Sequence, residues 1–260
     1  MKIKEVLSAL ERFAPLPLQE SYDNAGLQIG LTEAEVSGAL LCLDVTEAVV
    51  DEAISLGCNL IVSHHPLIFR GLKSISGRDY IDRCVMKAIK HDIVIYSAHT
   101  NLDNAPKGVN WWMCQKLGVQ NPVILEPLEG NSEAGSGMIG ELPQPMTPEA
   151  FLKFVKETFH VGCVLHNKPS EVRLIKRVAL CGGAGSFLAS QAHRKGADAF
   201  VTGEMKYHEF FGHDDLQIAA IGHYESEQYT QELLKNIIEQ DFPGLSVRLT
   251  TVETNPIYYL

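Results

Sequence analysis

The chain has 260 residues, 45% of them hydrophobic and 21% charged, which suits one large or two smaller cored domains and excludes a disordered or fibrous chain. Its formal net charge of −10 opposes the phosphates of nucleic acid, and no apolar run reaches the ~18 residues that a membrane span needs. The six cysteines (Cys42, Cys58, Cys84, Cys114, Cys163 and Cys181) are scattered without a C-x-x-C pair, so they read as small buried hydrophobes and not as a disulfide framework.

The opening "MKIKEVLSALERF" predicts an amphipathic helix with charges throughout, unlike a signal peptide, and a cytoplasmic location is expected. "ESYDNAGLQIG" (20–30) places Asp23-Asn24 before Gly26 and Gly30 and predicts a tight turn. "GALLCLDV" (38–45) reads as a strand. "TEAVVDEAISLG" (46–57) reads as a helix capped by Thr46 and stopped by Gly57, and "NLIVS" (59–63) as a second strand. Strand, helix and strand in that order predict a crossover and a parallel α/β sheet.

The same plan returns later. Residues 41–63 align without gaps on 180–202, Cys42 onto Cys181, a shift of 139 residues with five identities. "IVIYSAHTNLDN" (93–104) and "IAAIGHYESEQ" (218–228) follow as strands ending in histidine, with an acid four residues on, so that His99 is matched to His223 and Asp103 to Glu227 at a shift of 124. The expectation is two similar α/β lobes related by internal duplication, residues 1–128 and 129–260, with a metal site in the cleft between them. The boundary is placed in the Gly-, Pro-, Ser- and Glu-rich stretch 125–150, where "SEAGSG" reads as a surface loop. "TPEAFLKFVKETFH" then opens a helix with Thr147 as cap and Pro148 in first position, and the C-terminal "LSVRLTTVETNPIYYL" reads as a strand and tail able to return to the first lobe.

Ligands of α/β sheets bind beyond the carboxyl ends of strands. His64-His65, His99, Asp103, Glu204, His223 and Glu227 all lie just past such ends. Imidazole and carboxylate together suit Zn, Mn or Fe. At a strand end, where the chain turns, His64 and His65 can diverge towards two ions, and Glu227, one helical turn from His223, can bridge them with Asp103 completing one. Isolated histidines ordinarily bond to nearby backbone, and His91, His160, His166, His193 and His213 are read that way. His208 is open between the two readings. "CGGAGS" (181–186) resembles a phosphate-cradling loop but lacks the Lys-Ser/Thr of a P-loop.

With "SYDNAGLQIG", "SHHPLIF", "AHTNLDN", "GEMKYHE" and "GHYESEQ" in view, the chain resembles the NIF-three-like dinuclear-metal-centre proteins, known as GTP cyclohydrolase 1 type 2 homologs, in their short form without an inserted domain. The resemblance implies two divalent metal ions (Zn, Fe or Mn) held by His64, His65, Asp103, His223 and Glu227, with His99 in support, and a ring-shaped homohexamer. Two functions stay open ahead of nucleic-acid remodelling, which salt-dependent DNA binding would test. One is a metal-dependent hydrolase acting on a nucleotide ring carbon, a phosphoester or an amide, in which His99 or Glu204 handles protons and Arg70, Lys107 or Lys206 meets an anionic group. The other is a metal-binding regulatory or scaffold protein.

Overall fold

The computed structural model describes residues 1–169 and 173–260. In chain order the elements are α1 (Ile3–Phe13), β1 (Gly26–Ile29), β2 (Ala39–Cys42), α2 (Glu47–Leu56), β3 (Leu60–Ser63), α3 (Tyr80–Lys90), β4 (Val94–Ser97) and α4 (Thr100–Asp103). They continue with α5 (Val109–Lys116), β5 (Gln120–Leu128), β6 (Asn131–Met146), α6 (Pro148–Thr158), β7 (Leu165–His166), β8 (Ile175–Cys181), α7 (Ala189–Arg194), β9 (Ala199–Thr202), β10 (Gln217–Ala220), α8 (His223–Glu227), α9 (Thr230–Asp241) and β11 (Val247–Leu249). Strand and helix alternate around two mixed sheets, which makes this an α/β protein.

The chain divides into two compact units, Met1–Leu102 with Thr230–Pro256, and Asp103–Tyr229 with Ile257–Leu260. This differs from a division at residue 128. β5 belongs to the second sheet through its antiparallel pairing with β6, while β11 pairs in parallel with β2, so Thr230–Pro256 goes with the first sheet.

In the first unit the sheet order is β1-β4-β3-β2-β11, parallel except for β1. β2, β3 and β4 are buried at every position, as expected of parallel strands covered on both faces. One face is packed by α2 and α3 through Val49, Val50, Ala53, Cys84, Val85 and Ala88. The Thr46 hydroxyl accepts a bond from the Val49 amide, so α2 begins where the cap residue predicts.

In the second unit the order is β5-β6-β8-β9-β10-β7, with β8, β9 and β10 parallel. One core lies around Phe151, Val155, Phe159, Val178 and Val201, and another around Leu188, Ala192, Phe200 and Ile218. Thr147 caps α6 by accepting from the Ala150 amide, with Pro148 in the first turn. The "SEAGSG" segment is not a loop: it lies in β6, paired with β5. Its small residues serve close backbone packing, since a β-carbon on Gly135 would stand 2.1 Å from the Glu126 carbonyl oxygen.

The register of the two sheets tests the sequence repeat. Ala39 pairs with Leu60 in the first sheet and Val178 with Ala199 in the second, both consistent with the 139-residue shift. The third strands differ: Leu60 pairs with Val94 and Ala199 with Gln217, a shift of 123 and not 124. By strand register His99 therefore corresponds to Gly222, and it is Thr100 that corresponds to His223.

Candidate metal centre

The first unit supplies three imidazoles. Hydrogen bonding runs on past the end of β3, where the His64 and His65 amides donate to the carbonyls of Cys42 and Leu43 at 3.2 and 2.9 Å. The Ser63 hydroxyl donates to the His65 carbonyl at 2.8 Å and folds the chain over before Pro66. A continuing strand would send neighbouring side chains to opposite faces. This turn instead sets the two rings 4.9 Å apart. His99, just beyond β4, joins them at 5.3 Å from His64 and 5.6 Å from His65. The three offer ring nitrogens that all lie within 4.8 Å of one another.

Each ring is held in the same way. His64 Nδ1 lies 2.7 Å from the Ala98 carbonyl oxygen, His65 Nδ1 2.7 Å from Asp44 Oδ1, and His99 Nδ1 2.7 Å from Asp23 Oδ1. A carbonyl or an ionised carboxylate can only accept, so in the neutral rings Nδ1 carries the hydrogen and Nε2 keeps its lone pair. An acceptor behind the ring fixes its orientation and makes it a better ligand.

Asp23 is the most constrained of these partners. Its carboxylate accepts from His99 Nδ1, from the Thr100 hydroxyl and, at 3.1 Å, from the Thr100 amide. Burial pushes the carboxyl up, but the bonds from His99 and Thr100 outweigh that and hold it at about 2. Asp44 also receives the Thr254 hydroxyl at 3.2 Å, which ties the segment after β11 to the back of His65.

The second unit supplies carboxylates and a fourth imidazole. α8 starts at Gly222, whose φ is 101°, and sets His223 and Glu227 one turn apart, with His223 Nε2 3.1 Å from Glu227 Oε2. His223 Nδ1 lies 3.0 Å from Glu204 Oε1. Asp103 and Glu227 bring carboxylate oxygens within 4.8 Å of each other. Their charge is felt by a neighbour: burial first, then Asp103 and Glu227, push the Cys181 thiol well above its ordinary value.

The "CGGAGS" segment has a different task from cradling phosphate. Gly183 has φ 57°, and a β-carbon there would stand 2.3 Å from Glu227 Oε1. The Gly183 amide donates to Ser226 Oγ at 2.9 Å, and the Gly182 amide to Asn110 Oδ1 at 3.0 Å. The glycine pair makes room for Glu227.

Of the residues singled out in the sequence, His64, His65 and His99 meet in the first unit, and Asp103, Glu204, His223 and Glu227 gather in the second. His208 is elsewhere, in an aromatic group with Tyr207 and Phe211 at 5.1 and 6.3 Å. Sequence reasoning passed over three residues. Asp23 reads as a turn residue, although it anchors His99. Asp44, an acid at the carboxyl end of a strand, carried a readable signal. Gly183 carried none without the position of Glu227. Oriented imidazoles and clustered carboxylates are donors that fit a borderline divalent metal.

The protein resembles, over nearly its full length, a GTP cyclohydrolase 1 type 2 homolog of Streptococcus pneumoniae, 32% identical with 100% of each chain covered. The homolog of Clostridium perfringens is 35% identical, with 87% of each chain covered. The alignment with a Staphylococcus aureus homolog runs over 368 residues at 27% identity, so that relative carries sequence this chain lacks. Among solved structures, a Staphylococcus aureus hypothetical protein matches with a TM-score of 0.92 at 31% identity, covering 100% of this chain and 99% of that one. A Bacillus cereus protein related to NIF3 matches at 0.90 and 28% identity, with the same coverage. Residues 1–256 match the profile of the Duf34/NIF3 (NGG1p interacting factor 3) family, and the chain belongs to that family.

Proposed function

We propose that this chain holds two divalent transition-metal ions through His64, His65, Asp103, His223 and Glu227, and acts as a metal-dependent hydrolase. The observation that carries the reading is the common anchoring of the imidazoles: His64, His65, His99 and His223 each have Nδ1 against a carbonyl or carboxylate oxygen at 2.7–3.0 Å. Purely structural histidines have no need of four matched orientations, whereas metal ligands do.

A bound pair of such ions supplies Lewis acidity and water activation near neutral pH. The chain's own residues handle the protons. His99, steadied by Asp23, can hold or pass a proton at Nε2, and Glu204, with its side chain 56% exposed, can exchange one with solvent at its carboxylate. The name shared by the relatives, GTP cyclohydrolase 1 type 2 homolog, favours a nucleotide ring carbon as the point of attack. A phosphoester or an amide would call for the same machinery. Assembly with further copies of the chain into a ring-shaped hexamer belongs to this proposal, and its mass in solution would check it.

The test has two parts. Elemental analysis is expected to find about two transition-metal ions per chain, as a two-metal template requires. The pair His64→Ala with Glu227→Ala is expected to abolish loading while circular dichroism stays native. Wild-type metal content in that variant would overturn the ligand set. Loaded protein that turns over no member of a broad nucleotide, phosphoester and amide panel would leave a metal-binding scaffold in place of an enzyme.

A further inference from the structure

Beyond the histidines, the chain does something unusual for its composition. In a protein of net charge −10, the stretch from Phe69 to Arg78, FRGLKSISGR, carries Arg70, Lys73 and Arg78 and no acid. These residues line one concavity of about 430 Å³ in the first unit, together with Phe69 and Ser74. Arg70 and Lys73 are exposed and form no ion pair among the described residues. The guanidinium of Arg78 donates to two neutral hydroxyls, Ser74 Oγ at 2.5 Å and Ser76 Oγ at 2.9 Å.

Two acids also border the concavity, and both are committed to the frame of the loop. Asp79 caps α3 by accepting from the Asp82 amide at 2.9 Å. Asp82, 3% exposed, accepts from the Ser76 amide at 2.9 Å and the Ser76 hydroxyl at 3.3 Å. Those bonds, with the backbone of Arg78, hold its carboxyl below the usual range. Asp82 offsets part of the charge of Arg78. Arg70 and Lys73 are offset by neither acid through any contact. The result is a cationic hollow on an anionic protein, with the Ser74 hydroxyl in its wall, a setting for a compact anion with several acceptor oxygens.

Its position gives the hollow a purpose. Phe69 lines it and also packs edge-on against His99 at 6.1 Å, with Tyr22 on Phe69 at 6.5 Å. Only Pro66 to Ile68 separate Phe69 from His65 along the chain. The hollow therefore begins one aromatic ring away from the three imidazoles.

We infer that Arg70, Lys73, Ser74 and Arg78 form an anion subsite that takes the phosphate or polyphosphate group of a small-molecule ligand whose other end reaches the histidine cluster. Calling that ligand a substrate rests on the hydrolase reading; the subsite itself does not. A planar guanidinium can grip phosphate oxygens in pairs while a lysine adds a point charge. The enclosure is sized for a small molecule, and the acidic remainder of the chain disfavours a long nucleic acid.

Tripolyphosphate is the probe, followed by isothermal titration calorimetry on the full-length protein, with sodium sulfate and a defined duplex DNA as comparison ligands. Wild type is expected to bind tripolyphosphate with an affinity that falls as salt is raised. The Arg70→Gln/Lys73→Gln variant, altered only at exposed loop positions, is expected to bind at least tenfold more weakly at unchanged metal content and melting temperature. Equal affinity in wild type and variant overturns the inference, as does tighter binding of the duplex than of tripolyphosphate. The same titrations on His64→Ala/Glu227→Ala protein separate the two readings. Binding that persists there and still falls with Arg70→Gln/Lys73→Gln supports the subsite, even if the metal assignment fails. Binding that disappears there and ignores the loop substitutions means that the probe met the metals alone, and overturns the subsite.

Discussion

Beyond the ends of β2 and β3 in the first unit stand Asp44 and then His64-His65; at the register-matched positions beyond β8 and β9 in the second stand Gly183 and then Gly203-Glu204. Each unit sets an imidazole Nδ1 against a carboxylate, His65 on Asp44 at 2.7 Å and His223 on Glu204 at 3.0 Å. The pair is the same and its parts have moved. In the first unit the acid follows β2 and the histidine follows β3. In the second the acid follows β9 and the histidine follows β10, and Gly183, where the first acid would stand, leaves space for Glu227. A common strand frame can thus carry different donors because the donors lie just past the paired residues, where a side chain can change without disturbing the ladder.

The largest effect is expected at Gly183, where the second frame leaves room for Glu227 in place of the first frame's Asp44. Gly183→Ala puts a β-carbon against Glu227 Oε1 and asks alanine to hold φ 57°. The left-handed conformation alone costs about 1–2 kcal/mol, and the methyl group drives the carboxylate aside. Elemental analysis should show a loss of bound metal beside a lowered melting temperature. Wild-type loading would mean that Glu227 is not a ligand.

A smaller loss is expected on acidification. Asp23, ordinarily near 3.8, is held at about 2 in the folded chain, so its stabilisation is complete above pH 4 and is lost as pH falls from there through 2. That difference is about 2 kcal/mol. Urea titrations of wild type and Asp23→Asn should differ by this amount at pH 6, by progressively less as pH falls below 4, and converge only as pH passes below 2. A constant gap would place the stabilisation in packing rather than in charge.

Next in size is the contrast between the two carboxylates. Asp44→Ala should weaken metal binding about 10–100-fold by removing the acceptor behind His65. Glu204→Ala, at a longer distance and with a side chain 56% exposed, should cost less. Competition with a chromogenic chelator measures both, and a larger loss at Glu204 would reverse the ranking of the two units.

Much of this is legible in the sequence, for identifiable reasons. The five identities of the internal alignment each perform one physical task in both units. Leu41 and Leu180, Cys42 and Cys181, Ala53 and Ala192, and Val62 and Val201 are buried in strands or helices, and Gly57 and Gly196 turn the chain after a helix. Cap residues at Thr46 and Thr147 act within three residues of themselves, so local sequence suffices to find them. The donors were visible because strand ends are visible. The bond between Asp23 and His99 spans 76 residues, and nothing local announces it. β6 was hidden for another reason: small and polar residues look like a loop until a neighbouring strand requires their lack of bulk. Matching His99 to His223 aligns chemistry, whereas the strands align by register one residue away.

The finest test of the comparison uses a turn that the two units share. Gly57 has φ 67° and Gly196 φ 73°, and a β-carbon on either would meet nothing within 4 Å. After each, the next amide reaches back to the helix in the same way, Cys58 to the Ala53 carbonyl at 2.9 Å and Ala197 to the Ala192 carbonyl at 3.0 Å. With no steric clash at either site, Gly57→Ala and Gly196→Ala should each cost only the left-handed strain, about 1 kcal/mol. The two losses should agree within about 0.5 kcal/mol and add in the double variant, because the sites share no partners. Agreement would mean that the frame is energetically as well as geometrically repeated, and that the units differ only where their donors do. Unequal losses would show that one helix leans on its turn more than the other, and the shared register would then be a likeness of shape alone.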